Sequence, residues 1–334
     1  GGKRVKPIIV VGGAGYVGSH ACKALHKAGY NPIVLDDLSR GHREFVKWGP
    51  LEIGDVCNTD WVRRMLVQYQ PVAVMHFAAL AYVEESFRHP DAYYQVNVGG
   101  TLSLLNAMER EGFKNLVFSS SCAVYGNPDG DYPIFESAPK IPISSYGETK
   151  LAAERAIMAY KNAYGLKPVI LRYFNAAGAD IDGEIGEWHN PETHLIPLVL
   201  KAAESGKPFT INGDDYATRD GTCIRDFVHV DDLARAHVMA MKRTLNGYDP
   251  NDLQIFNFGS GTGYTIREII KHAEHITNKK IPILFGTRRI GDPSVLVAGT
   301  TNARGFFKWT PNHSIDSILE TAWAWEQKRK TSAT

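Results

Sequence analysis

The stretch SSYGETKLAAE, residues 144–154, sets a tyrosine, Tyr146, four positions before a lysine, Lys150. On a helix, side chains at i and i+4 share one face, so the phenol and the ammonium point the same way. A tyrosine of ordinary pKa, about 10, is a poor base at neutral pH, and lowering it by about 3 units takes roughly 4 kcal/mol of differential stabilisation. A neighbouring ammonium in a low-dielectric site supplies part of that. Tyr146 is therefore a candidate acid/base and Lys150 its activator. The bland alternative is the start of an amphipathic helix, with a surface lysine and a half-buried tyrosine. Upstream, VFSSSCAVYG closes a strand-like run with Ser119, Ser120 and Ser121. A serine at such a strand end can hydrogen-bond the hydroxyl that the tyrosine works on, although serine runs also serve as caps of helices and turns.

The elements that must position these groups are legible around them. Strand-like runs at 6–12, 31–36, 72–78, 115–121 and 167–175 alternate with helix-length segments at 18–29, 59–70, 98–112 and 150–165. Strands alternating with helices imply βαβ units and a parallel sheet. Right-handed crossovers favour an α/β, Rossmann-type, doubly wound arrangement in which strand C-termini face the ligand. After residue 175 the texture turns rich in Gly, Asp and Asn, as in long ordered loops over a ligand. The reading is a dinucleotide-binding domain over 1–175, to which 226–262 returns, and a smaller α/β substrate lobe over 176–334. The last residues, EQKRKTSAT, read as frayed.

IIVVGGAGYVGSH follows the first strand and opens the first helix, with glycines at 12, 13, 15 and 18. Such glycines allow a tight turn and close approach to a pyrophosphate, and the last, Gly18, allows close helix–sheet packing. Asp36 ends the second strand about 20 residues on, where a carboxylate accepts from ribose hydroxyls and repels a 2′-phosphate, which selects NAD over NADP. With a nicotinamide site on the chain, Tyr146 and Lys150 acquire a second positive neighbour, and the acid/base reading prevails over the bland one. Asp55 is placed to meet the adenine or to cap a helix.

The 334 residues are 44% hydrophobic, enough for a large core. A net charge of +1, from 37 basic and 36 acidic side chains, leaves no field to attract nucleic acid or an anionic membrane. The four cysteines form no C-x-x-C pair and suit a reducing compartment. No run approaches the ~18 apolar residues of a membrane span. A cytoplasmic protein is expected, with an initial Gly-Gly that reads as an artificial remnant hiding the native start.

GGAGYVGSH, DDLSRGH, MHFAA, YYQVNVGGTLSLL, SSSCAVYG, SYGETK, LRYFNAAGA, DGTCIRDFVHVDDLA and RRIGD together resemble the extended short-chain dehydrogenase/reductase superfamily, in its branch of UDP-hexose 4-epimerases. The resemblance spans nearly the whole chain. It implies tightly bound NAD, a 4-keto sugar that turns over in the site, and a homodimer. Helices near 92–110 and 150–164 carry apolar faces that suit subunit pairing or ordinary packing equally. Tyr146 would handle the proton of the sugar 4′-hydroxyl, Ser121 would assist, and Lys150 would also hold the nicotinamide ribose. The cofactor would meet Gly12, Gly15, Tyr16, Val17, Gly18, Asp36, Asp55, Val56, Phe77, Ala78, Asn97, Ser119 and Tyr173. The UDP-hexose would meet Asn175, His194, Leu195, Arg225, Arg289, Asp292 and Leu296. Guanidinium forks suit a diphosphate, which supports the two arginines. This chain departs from the family at Ala81, where many members carry a lysine near the cofactor, and at Asp37, Asn212 and Phe227. Leu296 lies between the tyrosine that blocks N-acetyl sugars and the small residue that admits them, and tilts against them.

Three other readings bear on the same motifs. A 4,6-dehydratase needs a carboxylate beside the serine, where this chain has Cys122 and Ala123. An epimerase of UDP-xylose and UDP-arabinose uses the same chemistry without C6. A silent NAD-binding regulator would lose Tyr146 or Lys150, and this chain keeps both. His189 and His194, with Glu187 and Glu192 between and beside them, match no zinc spacing, so no metal is expected.

Overall fold

The β-branched runs of the first half pair side by side because both of their faces are apolar. In a computed structural model of the chain, residues 4–128, 130 and 132–332 are described. The leading Gly-Gly and the last two residues lie outside them. Six strands, β1 (Lys6–Val11), β2 (Tyr30–Asp36), β3 (Leu51–Ile53), β4 (Ala73–His76), β5 (Asn115–Ser121) and β6 (Lys167–Tyr173), join a seventh, Ile255–Phe258, in one sheet. From one edge the order is β3, β2, β1, β4, β5, β6, then Ile255–Phe258. β1 pairs in parallel with β2 and β4, β2 with β3, and β4 with β5. The order reverses direction between β1 and β4, the switch point at which ligands of doubly wound sheets bind. Ile9, Val11, Val74 and Phe118 of the strands bury against Leu104, Met108 and Ile157 of the helices Gly100–Glu111 and Ser145–Tyr164.

The chain divides into two compact units. The first holds Gly1–Val124, Pro142–Arg172 and Ala234–Phe256; the second holds Tyr125–Ile141, Tyr173–Leu233 and Asn257–Thr334. Tyr125–Ile141 joins the second unit through polar ties that composition does not reveal. Asn257 donates to the Ile134 carbonyl at 2.9 Å and accepts from the Tyr125 hydroxyl at 2.6 Å, and Ile134 bridges to Ala298.

The second unit is less loop-like than its composition suggests. Asn175–Ala177 pairs with Phe227–His229, and Phe209–Asn212 pairs with Ile283–Gly286. Ile224–Arg225 lies between Tyr264–Thr265 and Val295–Leu296. The helices Leu195–Ser205, Ile266–Thr277 and Ile315–Ser332 bury Val199, Leu200, Ile269, Ile318 and Leu319 in one cluster. The reading of a frayed end is corrected here, since the last helix runs unbroken to Ser332. Its polar side chains hold it: Gln327 donates to Glu204 at 2.8 Å, Lys328 to the Gly183 carbonyl at 2.5 Å, and Lys330 pairs with Glu204.

Candidate active site

Tyr146 and Lys150 lie in the first two turns of the helix Ser145–Tyr164, which makes their i, i+4 relation a structural fact. Ser144 caps that helix by accepting from the Gly147 amide at 3.0 Å, and Ser86 accepts the Tyr146 amide at 3.0 Å. Gly147 is required by proximity, because a Cβ there would stand 2.6 Å from the Ala123 carbonyl oxygen. The helix start therefore seats directly on the turn that follows Ser121. Tyr146 is half-buried, with the ring of Tyr93 edge-on at 6.5 Å.

Lys150 is 5% exposed, and its Nζ donates to the Ser119 carbonyl at 2.9 Å beneath the Phe118 ring. Burial pushes its pKa down to about 8, while Glu154 pulls it the other way. Ser121, half-buried at the end of β5, accepts from the Ala123 amide at 3.1 Å, which leaves its O–H to donate elsewhere. One turn beyond Lys150, Glu154 is almost wholly buried. It accepts from Arg172 at 2.5 and 3.0 Å and from the Ser120 hydroxyl at 2.5 Å. The helix, β5 and β6 are thus tied by one charged network directly behind the reactive face. Sequence reasoning missed Glu154 and Arg172, although both left signals. Glu154 repeats the spacing of Tyr146 and Lys150, and an arginine inside VILRY must find a buried partner.

The glycine loop has the form its residues imply. Gly12 takes φ +81°, and a Cβ there would stand 2.6 Å from the Ala78 amide nitrogen; at Gly18 it would stand 2.4 Å from the Gly12 carbonyl oxygen. The helix Tyr16–Lys27 begins at Gly15 with no side-chain cap and no acid in its first turn. Its N-terminal amides and dipole are thereby left to an anion. Asp36 accepts from the Ala14 amide at 3.0 Å and the Leu38 amide at 2.9 Å. Burial raises its pKa, with those amides opposing. These features fit a dinucleotide: the cradle is lined by backbone, and each carboxylate oxygen of Asp36 keeps a lone pair for a ribose hydroxyl.

The remaining expected cofactor residues in the first unit lie on the loops after the strands. Phe77 and Ala78 follow β4, with Phe77 against His237 at 4.8 Å between ring centres. Asp55 is exposed and accepts from the Cys57 amide at 2.9 Å, Val56 beside it is buried, and the cap of the next helix is Asn58. Asn97, in a π-helical turn over Tyr94–Gly99, is buried and braced. It donates to the Leu80 carbonyl and to Thr149 at 3.0 Å each and accepts from the Leu80 amide at 2.8 Å. It holds the loop after β4 against the helix that carries Tyr146. Behind them His76 is 1% exposed and donates through Nε2 to Thr101, whose own hydrogen goes to the Asn97 carbonyl. Its Nδ1 has no hydrogen-bond partner, and burial, with Lys150 adding to it, lowers its pKa to about 3.

Within the second unit, Arg225, Asp292, Arg289 and Leu296 come together. Arg225 donates to Asp292 at 2.7 Å, Arg289 lies 3.6 Å from the other carboxylate oxygen, and Leu296 stands in register with Arg225. Two guanidiniums share one carboxylate, which leaves a net positive site suited to a diphosphate. Tyr173 ends β6, and Asn175 pairs with Phe227 with its amide on the Asp226 carbonyl. Asp226, which sequence reasoning passed over, is fully buried and accepts from Ser260, Gly261 and Ala298 at 2.7 to 3.1 Å. His194 and Leu195 open the helix Leu195–Ser205, and His194 gathers with Glu187, His189 and Glu192. Burial pushes Glu187 up to about 8 against the pull of His194. Burial also opposes the charge on Glu192 and on His194, but His189 and His194 hold Glu192 low, and Glu187 and Glu192 hold His194 high.

Residues 8–259 match the model of the NAD dependent epimerase/dehydratase family, and the chain belongs to that family. It is 48% identical to a UDP-glucose 4-epimerase of Rhizobium meliloti (strain 1021), over 96% of this chain and 97% of the relative. It is also similar to the crystal structure of a UDP-glucose 4-epimerase from Brucella ovis in complex with NAD, at 46% identity and TM-score 0.91, covering 96% of this chain and 98% of that one. A UDP-glucose-4-epimerase from Stenotrophomonas maltophila with bound NAD and formylated UDP-arabinopyranose aligns at 32% identity and TM-score 0.93, over 98% and 99% of the two chains. Among the described residues no helix is long and apolar enough to cross a membrane.

Proposed function

We infer that the chain is an isomerase that carries out the UDP-glucose 4-epimerase reaction, interconverting UDP-galactose and UDP-glucose with NAD as its resident cofactor. One observation carries the reading. A buried lysine bonded to the end of β5 shares a helix face with a half-buried tyrosine, in the same unit as a pyrophosphate cradle.

When bound between the glycine loop and Asp36, NAD would supply the hydride acceptor for the sugar C4 and the donor for its return, so none would be consumed. The glycine loop and the first helix hold the pyrophosphate, and Asp36 receives the ribose hydroxyls. Tyr146 removes the 4′-hydroxyl proton and gives it back after the sugar has turned over. Lys150 keeps the phenolate accessible near neutral pH by its charge. Ser121 donates to the same sugar oxygen and steadies it between the two half-reactions. Arg225 and Arg289, aligned by Asp292, grip the diphosphate, while Asn175, Leu195 and Leu296 line the sugar side.

The epimerisation of UDP-xylose and UDP-arabinose is not favoured, because the relatives at 46–48% identity are UDP-glucose 4-epimerases. We further propose a cytoplasmic homodimer. Exposed Phe87, Tyr94, Leu102 and Tyr164 on the helices near 83–111 and 145–164 support the pairing, and four cysteines that form no disulfide support the compartment. Sedimentation giving a single monomeric species would remove the dimer. The reaction is tested by proton NMR of UDP-galactose with purified protein and no added NAD, with UDP-xylose and UDP-N-acetylglucosamine in parallel. Conversion to UDP-glucose is the expected result; turnover of the pentose alone would overturn it.

A further inference from the structure

We propose that Glu187, His189, Glu192 and His194 form a binding site for one divalent transition-metal ion of the zinc class. The four residues share one loop of the second unit, and one ligand atom from each lies within 4.8 Å of all the others. Three of the separations are those of direct contacts. His189 Nδ1 stands 3.4 Å from Glu192 Oε2, and His194 Nδ1 stands 3.2 Å from Glu192 Oε1 and 3.5 Å from Glu187 Oε1. Ligands about 2.0–2.2 Å from a tetrahedral zinc ion are separated by about 3.3–3.5 Å along each edge. Each of these three pairs has nearly that spacing, with the two imidazoles on different oxygens of Glu192, and one ligand atom from each of the four residues lies within 4.8 Å of the rest.

The donor set points the same way. Two imidazoles and two carboxylates suit zinc and its neighbours, whereas magnesium and calcium take oxygen donors alone. A hydrogen-bonded His–Glu cluster is the competing account, and Glu187 speaks against it. Glu187 is 6% exposed, and its Oε1 faces the cluster without a hydrogen bond. A buried carboxylate oxygen without a donor calls for an explanation, and a cation among the four side chains provides one.

The frame around the site is rigid. The Glu187 carbonyl accepts from the Trp325 indole at 3.0 Å. Glu192 is aimed by the amides of Thr193 at 2.9 Å and His194 at 2.8 Å. A cavity of ≈190 Å³ touches His189 and Glu192 and gives an ion a way in. His194 precedes the helix Leu195–Ser205, so an ion here fastens the loop to the start of that helix. The chain spacing of the ligands concealed this, because a loop, unlike a helix, converges side chains at no fixed interval.

The test uses the full chain with its cofactor, dialysed against chelator and titrated with cobalt(II), then with zinc(II). One cobalt per chain with the intense visible bands of a tetrahedral ion, displaced by zinc and unaffected by magnesium, is expected. Glu187→Gln and His189→Asn are each expected to weaken binding by at least about tenfold, and zinc should raise the melting temperature of the parent more than that of either variant. The absence of tetrahedral bands, or bands that persist in both variants, would overturn the site. Epimerase turnover takes no part in this readout, so its failure and that of the functional reading are separate.

Discussion

Lys150 donates its ammonium hydrogen to the backbone carbonyl of Ser119, 2.9 Å away, so the helix that carries Tyr146 is bolted to the strand end that carries Ser121. A buried cation is held with one backbone acceptor and one aromatic face near it, and its pKa falls to about 8. The ordinary lysine value is far higher, so this group changes charge within reach of working conditions.

Activity should follow that charge. Lys150 is protonated below about 8 and supports the phenolate; as pH rises through about 8 the charge is lost and kcat/KM should decline. Lys150→Arg keeps its charge to pKa values above about 12 and should lower the rate while moving the alkaline limb upward. A pH–rate profile of the two proteins checks this. An unchanged alkaline limb in the variant would detach Lys150 from the proton chemistry.

Tyr146→Phe removes the acid/base without disturbing the Ser86 contact, which uses the Tyr146 amide. Turnover should fall by about 10²–10⁴, the usual worth of a positioned proton-transfer group, with cofactor content and KM little changed. NMR turnover and absorbance of the released cofactor measure both.

Breaking the Glu154–Arg172 pair should be costly. Glu154→Gln removes the carboxylate charge that pairs with Arg172, which is 3% exposed, and removal of one partner of a buried pair costs about 3–5 kcal/mol. The double replacement Glu154→Met with Arg172→Met should recover most of that loss. Urea unfolding of the three proteins gives the comparison, and equal stability of the single and double variants would contradict it.

His76 should make the fold sensitive to acid. Its native pKa of about 3 lies below the ordinary histidine value of 6.5, so the native state binds fewer protons than the unfolded chain between those limits. The stability it contributes is full above 6.5 and is lost as pH falls towards about 3, at about 1.4 kcal/mol per pH unit. In His76→Gln that stretch of the unfolding free energy against pH should flatten; an identical slope in both proteins would absolve His76.

The sheet and the reactive face were readable because both rest on local rules. β5 carries the apolar run Leu116–Phe118 and the three serines that the sequence places at its end, and Tyr146 and Lys150 share a face through helical spacing alone. Contacts between distant segments were not readable. The partner of Arg172 is 18 residues away, that of Asn257 is 123, and Gln327 reaches Glu204 across the same kind of gap. No pattern in a single chain announces such pairs. The Gly-, Asp- and Asn-rich composition after residue 175 also hid the helices Leu195–Ser205, Ile266–Thr277 and Ile315–Ser332, because the loops between them dominate the texture of the sequence.

Asp36 fastens the glycine loop by taking the amide of Ala14, and the turn after its own strand by taking that of Leu38. A redesign for a phosphorylated dinucleotide usually begins by deleting such a carboxylate. Here the deletion would strip the glycine loop and the turn after β2 of one fastening each before any new ligand could arrive. Cofactor preference in this chain is therefore welded to local folding, and a laboratory or an evolving lineage that sought to change it would first have to supply Ala14 and Leu38 with another acceptor.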